Sequence, residues 1–182
     1  MKKMLGFSAG IILAATGFAA DKAPTIGGII DQEIRMAESE VVSLAEAMPA
    51  DKYDFAPTQG EFKSVRTFAQ QMTHIAAVNY MVAAAALGVA NPSEAGKGEN
   101  GPTSIKGKDA VVQYLKDSYA YAHKAAASLT AANSLDMVKS PFGEGNTPRM
   151  SMASVVAWHS FDHYGQAVVY ARMNSIVPPA SR

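Results

Sequence analysis

Two of the four histidines, His159 and His163, stand four residues apart in the segment Trp158-His159-Ser160-Phe161-Asp162-His163-Tyr164-Gly165-Gln166. On a helix, that spacing places both imidazoles on one face about a turn apart, where two ring nitrogens can reach one divalent ion. Val155 or Val156, Gln166 and Tyr170 continue the same side, so the pair is expected to point inward. Alone, a His-x-x-x-His pair is a weak signal, because the spacing often arises by chance. No glutamate follows His159 in the His-Glu-x-x-His manner, so the general base of a zinc protease is missing. No Glu-x-x-His pair occurs either, which argues against a ferritin-like di-iron centre.

His74 strengthens the case. It lies in Phe68-Ala69-Gln70-Gln71-Met72-Thr73-His74-Ile75, within the most apolar stretch of the mature chain. A buried imidazole needs partners for its ring nitrogens. One histidine here and two on a facing helix give three nitrogen ligands, the donor set of an open metal site with positions left for water or substrate. Such an ion lowers the pKa of its water and polarises a substrate. Asp162 and Gln166 flank the pair and are candidates to accept a ring N–H or orient a water. The fourth histidine, His123, sits beside Lys124 and reads as a surface residue. Trp158 and Phe161 read as core, and Tyr170 as a packed tyrosine with a bonded hydroxyl. No carboxylate stands out as a general base, so no catalytic residue is assigned.

Four helices must position these residues. Ile26, Ile30, Ile34, Val41, Leu44 and Met48 recur at helical spacing from about Thr25 to Met48, and Pro49 stops the run. A turn-rich loop follows, with Tyr53 and Phe55 as expected anchors. The second helix is expected from the N-cap residue Ser64 to Leu87, ending at Gly88. It is apolar on nearly every side beyond His74, which places it centrally in a bundle. Residues 88–107 form a long glycine-rich crossover linker, expected to be mobile and a candidate to lie over a site. The third helix is expected over about Lys108 to Thr130, with Val111, Leu115, Ala122, Ala126 and Leu129 as its stripe. After an irregular loop, the fourth runs from the N-cap residue Ser151 to about Ser175. No strand pattern is evident, so the fold class is an all-α four-helix bundle.

Composition narrows the classes. Of 182 residues, 48% are hydrophobic, enough for one well-filled domain. Sixteen basic residues balance sixteen acidic ones, so no basic surface for nucleic acid is implied. The absence of cysteine removes disulfides, thiolate ligands and a cysteine nucleophile. Lys2 and Lys3, an apolar run from Met4 to about Thr16, and Gly17-Phe18-Ala19-Ala20 have the layout of a secretory signal peptide over residues 1–20, with cleavage favoured after Ala19. The run is short for a membrane span of about 20 apolar residues, so no stable span is expected after cleavage. The mature chain is expected to be periplasmic or secreted.

From Ile26 to Pro179 the chain resembles the DinB-like family of metal-binding four-helix bundles. The resemblance is carried by Met48-Pro49-Ala50-Asp51-Lys52-Tyr53-Asp54-Phe55-Ala56-Pro57, then by Ser64-Val65-Arg66-Thr67-Phe68 with His74. It continues in His159-Ser160-Phe161-Asp162-His163-Tyr164-Gly165-Gln166, in Tyr170-Ala171-Arg172-Met173 and in Val177-Pro178-Pro179. The resemblance implies one bundle domain over about 24–180. It also implies a divalent metal, nickel or zinc, held by His74, His159 and His163. Some members of the family transfer low-molecular-weight thiols, chemistry that suits an exported chain poorly because such thiols are mainly cytoplasmic. The functional expectation is therefore a metal-dependent hydrolase or transferase acting on an unassigned small molecule. The alternative is a non-catalytic binding or stress-related module with a structural metal or none. A homodimer is compatible with the resemblance, but nothing in the residues specifies one.

Overall fold

The computed structural model describes residues 23–92 and 99–182. The expected signal segment and the middle of the expected mobile linker lie outside the described residues. Four helices form an all-α bundle: α1 (Ile26–Ala47), α2 (Phe68–Leu87), α3 (Lys108–Ala127) and α4 (Arg149–Met173). α2 packs on α3 and α4, and α1 packs on the same two, so α1 and α2 face each other diagonally. The core runs through Ile34, Leu44, Phe68, Met72, Ile75, Leu115 and Tyr119, all fully buried.

Each helix end has a local cause. Thr25 caps α1, its side chain accepting from Gly28 N at 3.0 Å. α2 begins at Phe68, later than expected at Ser64. Thr67 and Gln70 form a reciprocal capping box there, satisfying two backbone N–H groups at once. Ser64 instead adopts a left-handed φ of 65° in the preceding loop. The loop is pinned by Tyr53, buried, whose hydroxyl donates to Ala45 O at 2.6 Å and whose ring meets Phe68 at 5.3 Å. The carbonyls at the C-terminal end of α1 accept from Lys108 Nζ, at 2.6 Å for Glu46 O and 2.9 Å for Met48 O. Arg149, first residue of α4, does the same for α2 through Ala86 O at 2.6 Å. Basic groups at helix C-termini also oppose the negative end of the helix dipole.

Three further expectations are corrected. A short antiparallel hairpin, β1 (Met137–Lys139) with β2 (Asn146–Pro148), leads straight into α4. α4 therefore starts at Arg149, and Ser151 lies inside its first turn rather than at its cap. Three-residue strands are too short for a period-two pattern to register. His123 is also not a plain surface residue. It bridges α3 to α1, with Nδ1 2.6 Å from Asp31 Oδ1 and Nε2 3.0 Å from Glu38 Oε2. Close to this contact, Gly27 lets α1 and α3 approach, because a Cβ there would lie 2.5 Å from Ala126 O.

Candidate metal centre

α2 and α4 run antiparallel side by side, Arg149 meeting Ala86 at one end and Gln71 meeting Gln166 near the other. Between these contacts the three expected histidines converge. Their ring centroids are 5.0 Å apart for His74–His159, 4.5 Å for His74–His163 and 4.6 Å for His159–His163. One ligand nitrogen from each lies within 4.8 Å of the others. His74 and His163 are buried and His159 is half-buried.

Hydrogen bonds fix which nitrogen each ring can offer. His74 Nδ1 bonds to the carbonyl of Glu99. A carbonyl only accepts, so Nδ1 carries the proton and Nε2 the lone pair. His163 Nδ1 meets Gln71 Oε1 at 2.7 Å, and Gln71 Nε2 donates to Gln166 Oε1 at 3.1 Å. The same logic leaves His163 Nε2 as its free lone pair. His159 Nε2 lies 3.2 Å from His74 Nε2. Two nitrogens on a tetrahedral zinc, each about 2.0–2.1 Å from the ion, are roughly 3.3 Å apart. His159 Nδ1 is buried and has no hydrogen-bond partner. Since His74 Nε2 is unprotonated, metal-free His159 must donate to it through Nε2 and leave Nδ1 as an unsatisfied acceptor. A cation between the rings would use both Nε2 lone pairs at this spacing and move the His159 proton to Nδ1, which has no partner in either state. The donor set therefore fits a divalent ion.

The electrostatics hold the rings in the ligating form. Burial lowers all three pKa values by disfavouring charge. His159 falls to about 3, with His163, His74 and Arg66 adding to the effect of burial. His163 falls to about 4, through burial and then His74, against an opposing pull from Asp162. For His74, burial outweighs the upward effect of the Glu99 carbonyl. Neutral imidazoles are what a metal requires, since ligation competes with protonation.

The neighbouring residues divide differently from expectation. Gln166 supports the site through Gln71, whereas Asp162 is exposed and acts on the rings through its charge. Tyr170 is buried, as expected, and its hydroxyl donates to Arg66 O at 3.1 Å. Trp158 and Phe161 are not core: they are 59% and 36% exposed. The inward face of α4 is made by Val156, Ser160, His163, Ala167 and Ala171, and Trp158 and Phe161 fall off that stripe. Gln71 and the Glu99 carbonyl were not anticipated. Gln71 had a signal, a polar residue one turn before His74 on an apolar helix. Glu99 had none, because a backbone carbonyl carries no residue identity.

The DinB superfamily model matches residues 33–167, and the chain belongs to that superfamily. Among solved structures, the crystal structure of a DinB-like protein from Bacillus cereus ATCC 10987 is similar, with a TM-score of 0.63 and 15% identity. The match covers 85% of this chain and 96% of that one. At that identity the likeness speaks for the fold. No protein of curated function matches.

Proposed function

We propose that His74, His159 and His163 hold one divalent metal ion, nickel or zinc, in an exported hydrolase or transferase acting on a small molecule. The observation that carries this reading is the convergence of three ring nitrogens within 4.8 Å, two of them fixed as lone-pair donors by hydrogen bonds. When bound, such an ion supplies Lewis acidity and a more acidic water. The Glu99 carbonyl and the Gln71–Gln166 pair orient the rings, support of the kind that metal-ligating histidines usually have. Export is supported by Lys2, Lys3, the apolar run after them and the small residues at 17–20.

Calorimetric titration of tag-free protein with zinc or nickel tests the metal assignment. One ion per chain is expected for the wild type, with loss of the site in a His159→Ala, His163→Ala double variant. Equal binding by both proteins would sink the assignment. Export is tested by sequencing the N-terminus of protein recovered outside the cytoplasm, expected to begin at Ala20; an intact Met1 on all of it would contradict export.

One feature favours a second reading, a non-catalytic module. Among the described residues, the ring partners are a backbone carbonyl, an amide and another imidazole, with no carboxylate of the kind that raises the basicity of a catalytic ligand. Under that reading the ion raises the melting temperature but supports no turnover of ester, amide or phosphoester substrates.

A further inference from the structure

A polar cavity of about 420 Å³ is lined by Ser64, Arg66, Gln70, Gln71, Asn100 and Gln166 among others, and none of the three histidines is in its wall. It shares Gln71, the acceptor for His163, and Gln166, the partner of Gln71. The cavity and the histidine cluster therefore meet through one hydrogen-bond chain.

The lining is rich in donors. Gln70 Oε1 already accepts from Thr67 N at 2.9 Å. Asn100 Oδ1 accepts from Arg66 Nε at 2.8 Å, and Gln166 Oε1 accepts from Gln71 Nε2 at 3.1 Å. With each oxygen engaged, all three amides have their NH2 ends left to donate. Arg66 adds a cation held in place by Asn100. Its ion pair with Glu99 is loose, 3.8 Å long, with the carboxylate 64% exposed, and such pairs contribute little. Ser64, in the lining, keeps a left-handed φ of 65°, a conformation that costs a non-glycine residue energy and is often found at ligand clamps.

A bound divalent ion would add to the pull on an anion. Arg66, Glu99 and Asp162 all act electrostatically on His74 and His163. Glu99 and Asp162 are exposed and screened by water, so Arg66 and, when bound, the divalent ion are the charges that would draw an anion most strongly.

We propose that this cavity receives the carboxylate of a small-molecule ligand, with Arg66 and the amide NH2 groups binding it next to the Gln71–Gln166 pair that supports the histidines. The assignment rests on the metal reading above. A guanidinium fork matches the two oxygens of a planar carboxylate, and the charge of the ion adds to the attraction.

Trp158 is the sole tryptophan of the sequence, and its ring lies 6.2 Å from that of His159, so its fluorescence reports on the site. Tag-free mature protein is titrated first with zinc, then with acetate or neutral acetamide at constant ionic strength. A saturable zinc step is expected, then a saturable acetate step that acetamide does not reproduce. Arg66→Gln is expected to keep the zinc step and weaken acetate on the order of tenfold or more, the scale of losing a charge-assisted hydrogen bond. Arg66→Lys, which keeps charge without the fork, should fall between. Acetate binding of equal strength in wild type and Arg66→Gln would overturn the proposal, since the anion would then sit on the ion alone. Equal responses to acetate and acetamide, or equally strong acetate binding without zinc, would also overturn it. A missing zinc step marks failure of the metal reading itself, before any anion is added, and the carboxylate site falls with it.

Discussion

Replacing Gln71 by leucine isolates the support of the proposed metal site from its ligands. Gln71 is buried, and its Oε1 is the acceptor 2.7 Å from His163 Nδ1. Leucine fills a similar volume but cannot accept, so His163 keeps a buried N–H with no partner. That omission costs about 1–3 kcal/mol. For a domain of this size, roughly 2–4 °C of melting temperature per kcal/mol follows. Gln166, exposed to water, loses little when its donor goes. The second effect is on the metal. Without Gln71 the His163 ring can turn or change tautomer, and losing such support weakens a metal by about 10–100-fold. In excess metal, each tenfold weakening removes about 1.4 kcal/mol of metal-induced stabilisation. Competition against a chromophoric chelator measures the affinity, and thermal scans with and without metal measure the rest. Gln71→Glu keeps an acceptor at the same place and is expected to retain most of the affinity. Wild-type affinity in Gln71→Leu would refute the claim that this hydrogen bond sets the ligating nitrogen. Equal losses in the leucine and glutamate variants would assign the effect to packing instead.

Two further outcomes follow from the geometry. The metal-free protein should lose stability as pH falls below about 6.5, because the unfolded chain then binds protons that the three buried rings resist. His163 and His159 take up protons in the folded state only near pH 4 and 3. Stability thus falls through that window by up to about 1.4 kcal/mol per pH unit for each ring. Urea midpoints at pH 7.5 and pH 5 check this, and a flat profile would contradict it. Gly27→Ala should destabilise by about 1–3 kcal/mol, since its Cβ would meet Ala126 O at 2.5 Å and push α1 off α3. An unchanged urea midpoint would show that the helices separate without penalty.

Much of this arrangement was legible in the residues. The apolar periods of α1 and α3 fall on buried positions such as Ile34, Leu44, Val111 and Leu115. His159 and His163 at four-residue spacing, with His74 on the most apolar helix, anticipated the cluster. The start of α2 is written in the sequence as Thr67-x-x-Gln70, a capping box, whereas Ser64 is merely a plausible cap residue. Trp158 was misplaced because hydrophobicity alone does not say which stripe of a helix faces inward. The small residues Ala153, Ala157, Ser160 and Ala167 occupy much of that face. His123 depends on Asp31 and Glu38, ninety-two and eighty-five residues away, and no local pattern could pair them. Arg66, set in the loop ahead of α2, likewise gained meaning only when the chain brought it to Asn100.

X-ray absorption on zinc-loaded, tag-free protein tests the central claim most directly, because it sees the ion's own neighbours. Three imidazole nitrogens at about 2.0–2.1 Å, with the metal near one per chain, are the expected result. A shell of oxygens without imidazole scattering, or a spectrum unchanged by the His159→Ala, His163→Ala double substitution, would contradict it.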